Sequence, residues 1–170
     1  MKKTKLYCFY TPSHEKMFED FLKPSASKEY EVNPIFFEKQ LSKSGEYKLN
    51  GWRETQYHKV LSWAQAVRDN MGDIIVCADV DIQFLKPSSI FFRELLHSDD
   101  IAFQSNKVDD ETRICSGFFI CRCSLQTLNF FEIVAKRLKG IMHEPGGGEQ
   151  YVMQELIDEG WLQLNIKMIP

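Results

Sequence analysis

The stretch Asp73-Ile-Ile-Val-Cys-Ala-Asp-Val-Asp-Ile-Gln-Phe-Leu-Lys-Pro87 decides how the chain is read. Ile74 to Ala78 is a short, uninterrupted apolar run of strand formers. A run of this kind fits a strand buried on both faces, as in the middle of an α/β sheet. Asp79 and Asp81 follow at its carboxyl end, separated by Val80. Ligands of open α/β sheets bind at the carboxyl ends of strands. Two acids two residues apart at such a rim suit one hard cation, because Mg²⁺ and Mn²⁺ take oxygen ligands and commonly use one or two carboxylates plus substrate phosphates. The plainer alternative is that Asp simply makes the turn after the strand.

Upstream, Trp52 to Asn70 reads as the clearest helix, with Val60, Trp63, Ala64 and Val67 as its apolar stripe, Asn50 as N-cap and Gly72 as the C-terminal stop. Before it, Leu6 to Tyr10 is a first strand leading to Thr11-Pro12. A first helix is predicted over about Glu15 to Leu22, ended by Pro24 and Ser25 to Ser27. Tyr30 to Phe37 is a second strand, demoted to an edge by Pro34, and Glu38 to Gly51 is a polar loop expected to be mobile. Downstream, Ser88 or Ser89 caps a short helix reaching Leu96. Ile101 to Gln104 is predicted as a strand, Ser105 to Arg113 as a charged loop, and Ile114 to Cys123 as a strand with Ser116-Gly117 inside it. Leu125 to Leu138 is a helix, Lys139 to Gly148 a glycine-rich loop, Glu149 to Glu159 a helix stopped by Gly160, and Trp161 to Ile166 the last strand. Strands alternate with helices, so the class is α/β, a sheet between helices, in one domain spanning residues 1–170.

Composition excludes several classes. A net charge of −3 carries no broad nucleic-acid footprint. No stretch approaches transmembrane length, and Leu6 to Tyr10 is too short for a signal-peptide core, so a soluble, cytoplasmic protein without an integral membrane segment is expected. Cys8, Cys77, Cys115, Cys121 and Cys123 are odd in number, and four lie in apolar runs, so they read as buried thiols in a reducing compartment. Cys121-Arg122-Cys123 has no zinc spacing.

The order of these features resembles the nucleotide-diphospho-sugar transferases, glycosyltransferases of the GT-A fold. The features are a strand ending in Thr11, a helix carrying Lys59, a strand into Asp79-Val80-Asp81, a strand with Ser116-Gly117-Phe118-Phe119, and a glycine loop into Glu149-Gln150. The nearer likeness is to the group around the plant arabinosyl and xylosyl transferases, the more distant one to glycogenin and the lipopolysaccharide galactosyltransferases. The resemblance covers nearly the whole chain and implies a Rossmann-like, mixed and mostly parallel sheet. It further implies a Mn²⁺ or Mg²⁺ cofactor, a nucleotide-diphosphate sugar donor, and a glycan, protein or small-molecule acceptor.

By the resemblance, Asp81 and Asp79 are the metal residues, with Asp79 also facing the ribose and donor sugar. Thr11, Lys59, Asp79, Val80, Ser116 and Gly117 are substrate-binding, and Gln150, Glu149 and Asp79 line the reacting sugar. The related families suggest retention of anomeric configuration. Two departures stand out: Glu149 replaces the family's Asp, and the third metal ligand, a His from a segment beyond the last strand, has no counterpart before Pro170. None of His14, His58, His97 and His143 sits at that position. The chain is thus read as lacking the C-terminal segment of the fold, or as a minimal variant with water in that place. The rival readings are a metal-dependent phosphohydrolase or nucleotidyltransferase, and a catalytically degenerate nucleotide-sugar-binding domain.

Overall fold

The computed structural model describes residues 2–42, 51–108, 111–143, 147–160 and 163–169. The strand at the heart of the sequence forms over Ile74–Ala78 (β3). It lies third in a six-stranded sheet with β1 (Thr4–Tyr10), β2 (Tyr30–Phe36), β4 (Ile101–Val108), β5 (Glu111–Arg122) and β6 (Ile166–Ile169), in the order β2-β1-β3-β5-β4-β6. β1 runs parallel to β2 and β3, and β4 parallel to β6; β5 alone is antiparallel to its neighbours. The sheet is mixed and mostly parallel, as expected.

Alternate residues of the central strands feed two cores, which is why their apolar runs are unbroken. Ile75, Cys77, Phe119 and Cys121 face α3 (Trp52–Asp69), α5 (Leu125–Gly140) and α6 (Glu149–Asp158). Leu6, Cys8, Val76, Ala78, Phe118 and Ile120 face the helical segment of residues 12–26 and α4 (Ser89–Leu96). The first core is aromatic at its centre: Phe119 meets Trp63 edge-on at 5.0 Å and stacks obliquely on Phe103 and Phe131, each at 5.4 Å.

Several boundaries differ from expectation, each for a local reason. Pro24 does not end the first helix. A 3-10 turn (Pro12–His14), α1 (Glu15–Met17), a π-turn (Phe18–Leu22) and α2 (Lys23–Ala26) run on without a break. The wide π-turn relieves the helix where proline supplies no N–H. The Ser25 hydroxyl then donates to the Phe21 and Leu22 carbonyls at 2.8 and 3.0 Å. The predicted loop from Ser105 to Arg113 is largely strand: β4 and β5 continue as an exposed antiparallel pair, Asn106 opposite Arg113 and Lys107 opposite Thr112. Backbone bonds, not an apolar pattern, carry that extension.

The last strand lies at Ile166–Ile169 rather than starting at Trp161, which falls outside the described residues, as does Leu162. Asp100 sets its start: its carboxylate accepts from Asn165 N at 2.9 Å, and its own N–H donates to Asn165 O at 2.8 Å. Lys139 and Gly140 belong to α5 rather than to the glycine-rich loop, of which residues 144–146 lie outside the description.

Asn50, the expected cap of α3, is also outside the description, and Gly51 stands at that cap with φ +85°. A Cβ there would lie 2.4 Å from the Leu41 carbonyl oxygen, so glycine is required on both counts. At the other end Gly72, with φ +86°, ends the helix as read, and its N–H binds Cys123 O at 2.8 Å, tying β3 to β5. Pro34 sits in the edge strand β2, where no ladder bond on its free side is lost.

Because Phe119 is fully buried among three aromatic rings, Phe119→Ala is expected to cost about 3–5 kcal/mol. Urea unfolding of the variant against wild type checks this, with the m-value unchanged.

Candidate active site

The cleft opens where β1 and β3 end. Val80 turns its side chain into the core, so the acids on either side of it leave the strand toward the cleft. Asp79 is pinned through its backbone: its N–H donates to Gly117 O at 2.7 Å, and its carbonyl accepts from Ile82 N at 3.2 Å. Opposite, the β4–β5 register shifts between Phe103 and Gln104: Phe103 pairs with Phe119 but Gln104 pairs with Cys115. Ser116, Gly117 and Phe118 are the residues skipped. Bulges of this kind bend a strand and re-aim its side chains, here Ser116 into the cleft. The Ser116 N–H finds its partner off the sheet, in Gln150 Oε1 at 3.1 Å. One turn further along α6, Gln154 Oε1 accepts from Ile114 N at 2.9 Å.

A charged knot fills the floor. The Lys59 ammonium, from α3, lies 2.6 Å from Asp79 Oδ1 and 3.2 Å from Glu149 Oε1, with the Trp63 ring 5.0 Å away. Ser116 Oγ donates to the same Glu149 oxygen at 3.0 Å. Lys59 and Glu149 side chains are only 8% and 6% exposed, whereas Asp79 is 36% exposed. Burial alone would lower the Lys59 pKa; the carboxylates of Asp79 and Glu149 outweigh that and raise it above the ordinary lysine value. For Asp79, burial is the largest influence, with Glu149 and Asp81 pushing the same way, and its pKa lies above the usual carboxylate range even with Lys59 in contact.

All nine residues singled out in the sequence line this cleft. Thr11, Lys59, Asp79, Val80 and Asp81 border a cavity of about 240 Å³. Lys59, Asp79, Asp81, Ser116, Gly117, Glu149 and Gln150 border a wider one of about 1190 Å³ next to it. Thr11 Oγ1 is 3.2 Å from Ser13 Oγ and 3.3 Å from His14 Nδ1, and His14 joins the narrow cavity. The space Gly117 leaves open is met first by the protein itself: a Cβ there would be 3.2 Å from Asp79 Oδ2.

Two residues escaped the sequence reading. Trp52 and Gln56 precede Lys59 at helical spacing on α3, and both border both cavities. The i, i+4, i+7 spacing was the available signal, one that a search for apolar stripes passes over. Cys8, Cys77, Cys121 and Cys123 are buried, as read; burial pushes the Cys8 thiol up to about 12 and those of Cys77 and Cys121 well above the usual value. Cys115 is partly exposed beside the wide cavity.

The donor set suits a hard divalent cation held in part by its ligand's phosphates. Asp79 Oδ2 and the exposed Asp81 carboxylate are oxygen donors close enough for Asp81 to influence Asp79. Asp79 and Glu149 share the one ammonium and Asp81 lies beside Asp79, so the three carboxylates outnumber the lysine by two negative charges. Among the described residues no group of three His, Cys, Asp or Glu side chains is arranged to hold a metal. Nor, among them, is any helix long and apolar enough to cross a membrane.

The sheet order and the position of this cleft define a GT-A glycosyltransferase fold, and solved structures agree. A glycosyltransferase involved in glycosylation of the major capsid of PBCV-1 matches with a TM-score of 0.65 at 12% identity, over 99% of this chain and 80% of that one. The glycosyltransferase GlyE of Streptococcus pneumoniae TIGR4 matches with 0.66 at 8% identity, over 99% of this chain and 45% of that one. The galactosyltransferase LgtC, solved with donor and acceptor sugar analogs, matches with 0.62 at 8% identity, over 97% of this chain and 73% of that one. The chain therefore spans between about half and four-fifths of these three proteins. Residues 23–170 match the nucleotide-diphospho-sugar transferase family, and the chain belongs to it. No curated protein matches the sequence.

Removing the lysine should expose what it balances. Lys59→Met leaves buried Glu149 and the partly exposed Asp79 without their cation and is expected to cost roughly 3 kcal/mol at pH 7. With Lys59 gone the folded-state pKa of Asp79 rises further, so the variant's folded state binds the extra proton first. Its deficit against wild type should shrink as pH falls from 7 toward 5. Urea melts of both proteins across that range measure the difference.

Proposed function

We propose that the protein transfers a sugar from a nucleotide-diphosphate sugar to an acceptor, with a divalent metal, Mn²⁺ or Mg²⁺, held at Asp79 and Asp81. One observation carries the reading: two carboxylates, Asp79 and Glu149, converge on a single buried lysine at the strand ends where two cavities meet, with a third, Asp81, bordering both cavities. That arrangement has room for a nucleoside on one side and a sugar with its acceptor on the other. Its negative excess suits a cation that brings a diphosphate with it.

In this reading Thr11 and His14 border the nucleoside, in the narrow cavity. Asp81 and Asp79 would hold the cation. When bound, the cation supplies Lewis-acid stabilisation of charge gathering on the leaving diphosphate. Lys59 fixes Asp79 Oδ1 and so leaves Oδ2 for the cleft. Val80 keeps the two acids pointing out of the strand. Ser116, Gly117, Glu149 and Gln150 form the sugar side, where the wide cavity also gives the acceptor access. The backbone bond from Asp79 to Gly117 joins the cation side to the sugar side, so both keep a fixed separation.

A panel of nucleotide sugars with Mn²⁺ tests the proposal, read as free or transferred sugar. Asp81→Asn, close in shape but uncharged, is expected to lower metal-dependent turnover by about 100-fold or more and to leave the unfolding midpoint close to wild type. Inorganic phosphate release from phosphoesters would instead favour a phosphohydrolase. Nucleotide binding without any turnover would leave a binding domain.

A further inference from the structure

Trp52 and Gln56 connect the start of α3 to the start of α6. With the Gln56 amide turned to satisfy both neighbours, its nitrogen donates to Glu149 Oε1 at 2.9 Å and Oε2 at 2.8 Å, and its oxygen accepts from Trp52 Nε1 at 3.2 Å. The Trp52 ring in turn covers Gly148: a Cβ there would lie 2.3 Å from Trp52 Cη2. Glu149 thereby accepts from Gln56 on both oxygens and from Ser116 and Lys59 on Oε1. Nearly buried and bonded on both oxygens, it is a held group rather than a roaming one.

The chemical identity of residue 56 matters as much as its reach. A buried carboxylate needs donors, and a Lys or Arg at this position would supply them together with a charge. Gln56 supplies two N–H groups and no charge. Lys59 therefore remains the sole ammonium in the knot among the described residues, divided between Glu149 and Asp79. We propose that Gln56, seated by Trp52, is a positioning residue of the transferase site: it orients Glu149 and the first turn of α6 while keeping the negative excess that a divalent cation needs. This rests on the reading of the site as metal-dependent and deepens it by two separable roles, hydrogen-bond donation and neutrality.

Two variants separate them. Gln56→Leu keeps neutrality and removes both donors; Gln56→Lys keeps a donor and adds a charge. Hydrogen exchange of the ligand-free proteins, followed in the peptide covering residues 149–156, reads the clamp without any substrate. Gln56→Leu is expected to lose protection there and to lower kcat about 10–100-fold with little change in KM for the donor. Gln56→Lys should hold protection near the wild-type level. Its Mn²⁺ requirement should rise about tenfold or more, read as free Mn²⁺ by paramagnetic resonance in the presence of a nucleoside diphosphate. Wild-type protection and kcat in Gln56→Leu would overturn the clamp, and an unchanged Mn²⁺ titration in Gln56→Lys would overturn the charge argument. If wild type itself shows no metal-dependent nucleotide binding, the functional reading fails, and the exchange result in the ligand-free protein still decides the clamp.

Discussion

One ammonium inside the protein holds the cleft together. Lys59 is nearly buried, and an unpaired lysine at that depth would shed its proton or pull in water. It stays charged because two carboxylates from opposite walls meet it, Asp79 from the end of β3 and Glu149 from the start of α6. The attraction is mutual: neither wall can carry its acid so close to the core without the lysine. Replacing such a knot with apolar groups would often be neutral for stability, so its presence in a cleft points to chemistry more than to folding.

The sheet makes that meeting possible. β3 is buried on both faces, so its end is fixed by packing, and β5 runs antiparallel beside it. The register shift opposite Phe103 removes Ser116 from the ladder and frees its N–H. Gln150 satisfies that N–H, and Gln154 satisfies the one at Ile114. α6 is therefore docked by hydrogen bonds to a bulge as well as by Val152, Met153 and Leu156 in the core. The same three residues of β5 that break the ladder give the site its serine and its glycine.

Much of this was legible in the chain. The run from Ile74 to Ala78 announced a two-faced buried strand because alternation is absent when both faces are covered. The two acids after it, Lys59 on the preceding helix and Glu149-Gln150 after the glycines were all singled out, and they share one cleft. What stayed hidden depends on partners far away in sequence. Gly117 inside the strand is compatible with a bulge, but the size of the shift and the release of Ser116 exist only relative to β4. The exposed β4–β5 extension has no apolar period to read. Pro24 looks like a stop, but a π-turn lets the helix carry it. Gln56 is an ordinary surface-type residue until Glu149, 93 positions later, turns out to lie against it.

The central claim is that Asp79 and Asp81, beside the Lys59 knot, form the cation side of a nucleotide-sugar site. Paramagnetic broadening tests it most directly. Substoichiometric Mn²⁺ is added to isotopically labelled protein with a nucleoside diphosphate, and amide signals are followed along the chain. The account predicts that signals vanish first around Asp79 to Ile82 and Ser116 to Gly117, and that Mg²⁺ in excess restores them. Broadening centred elsewhere, for instance at the far ends of β1 and β3 near Lys2 and Asp73, would contradict it.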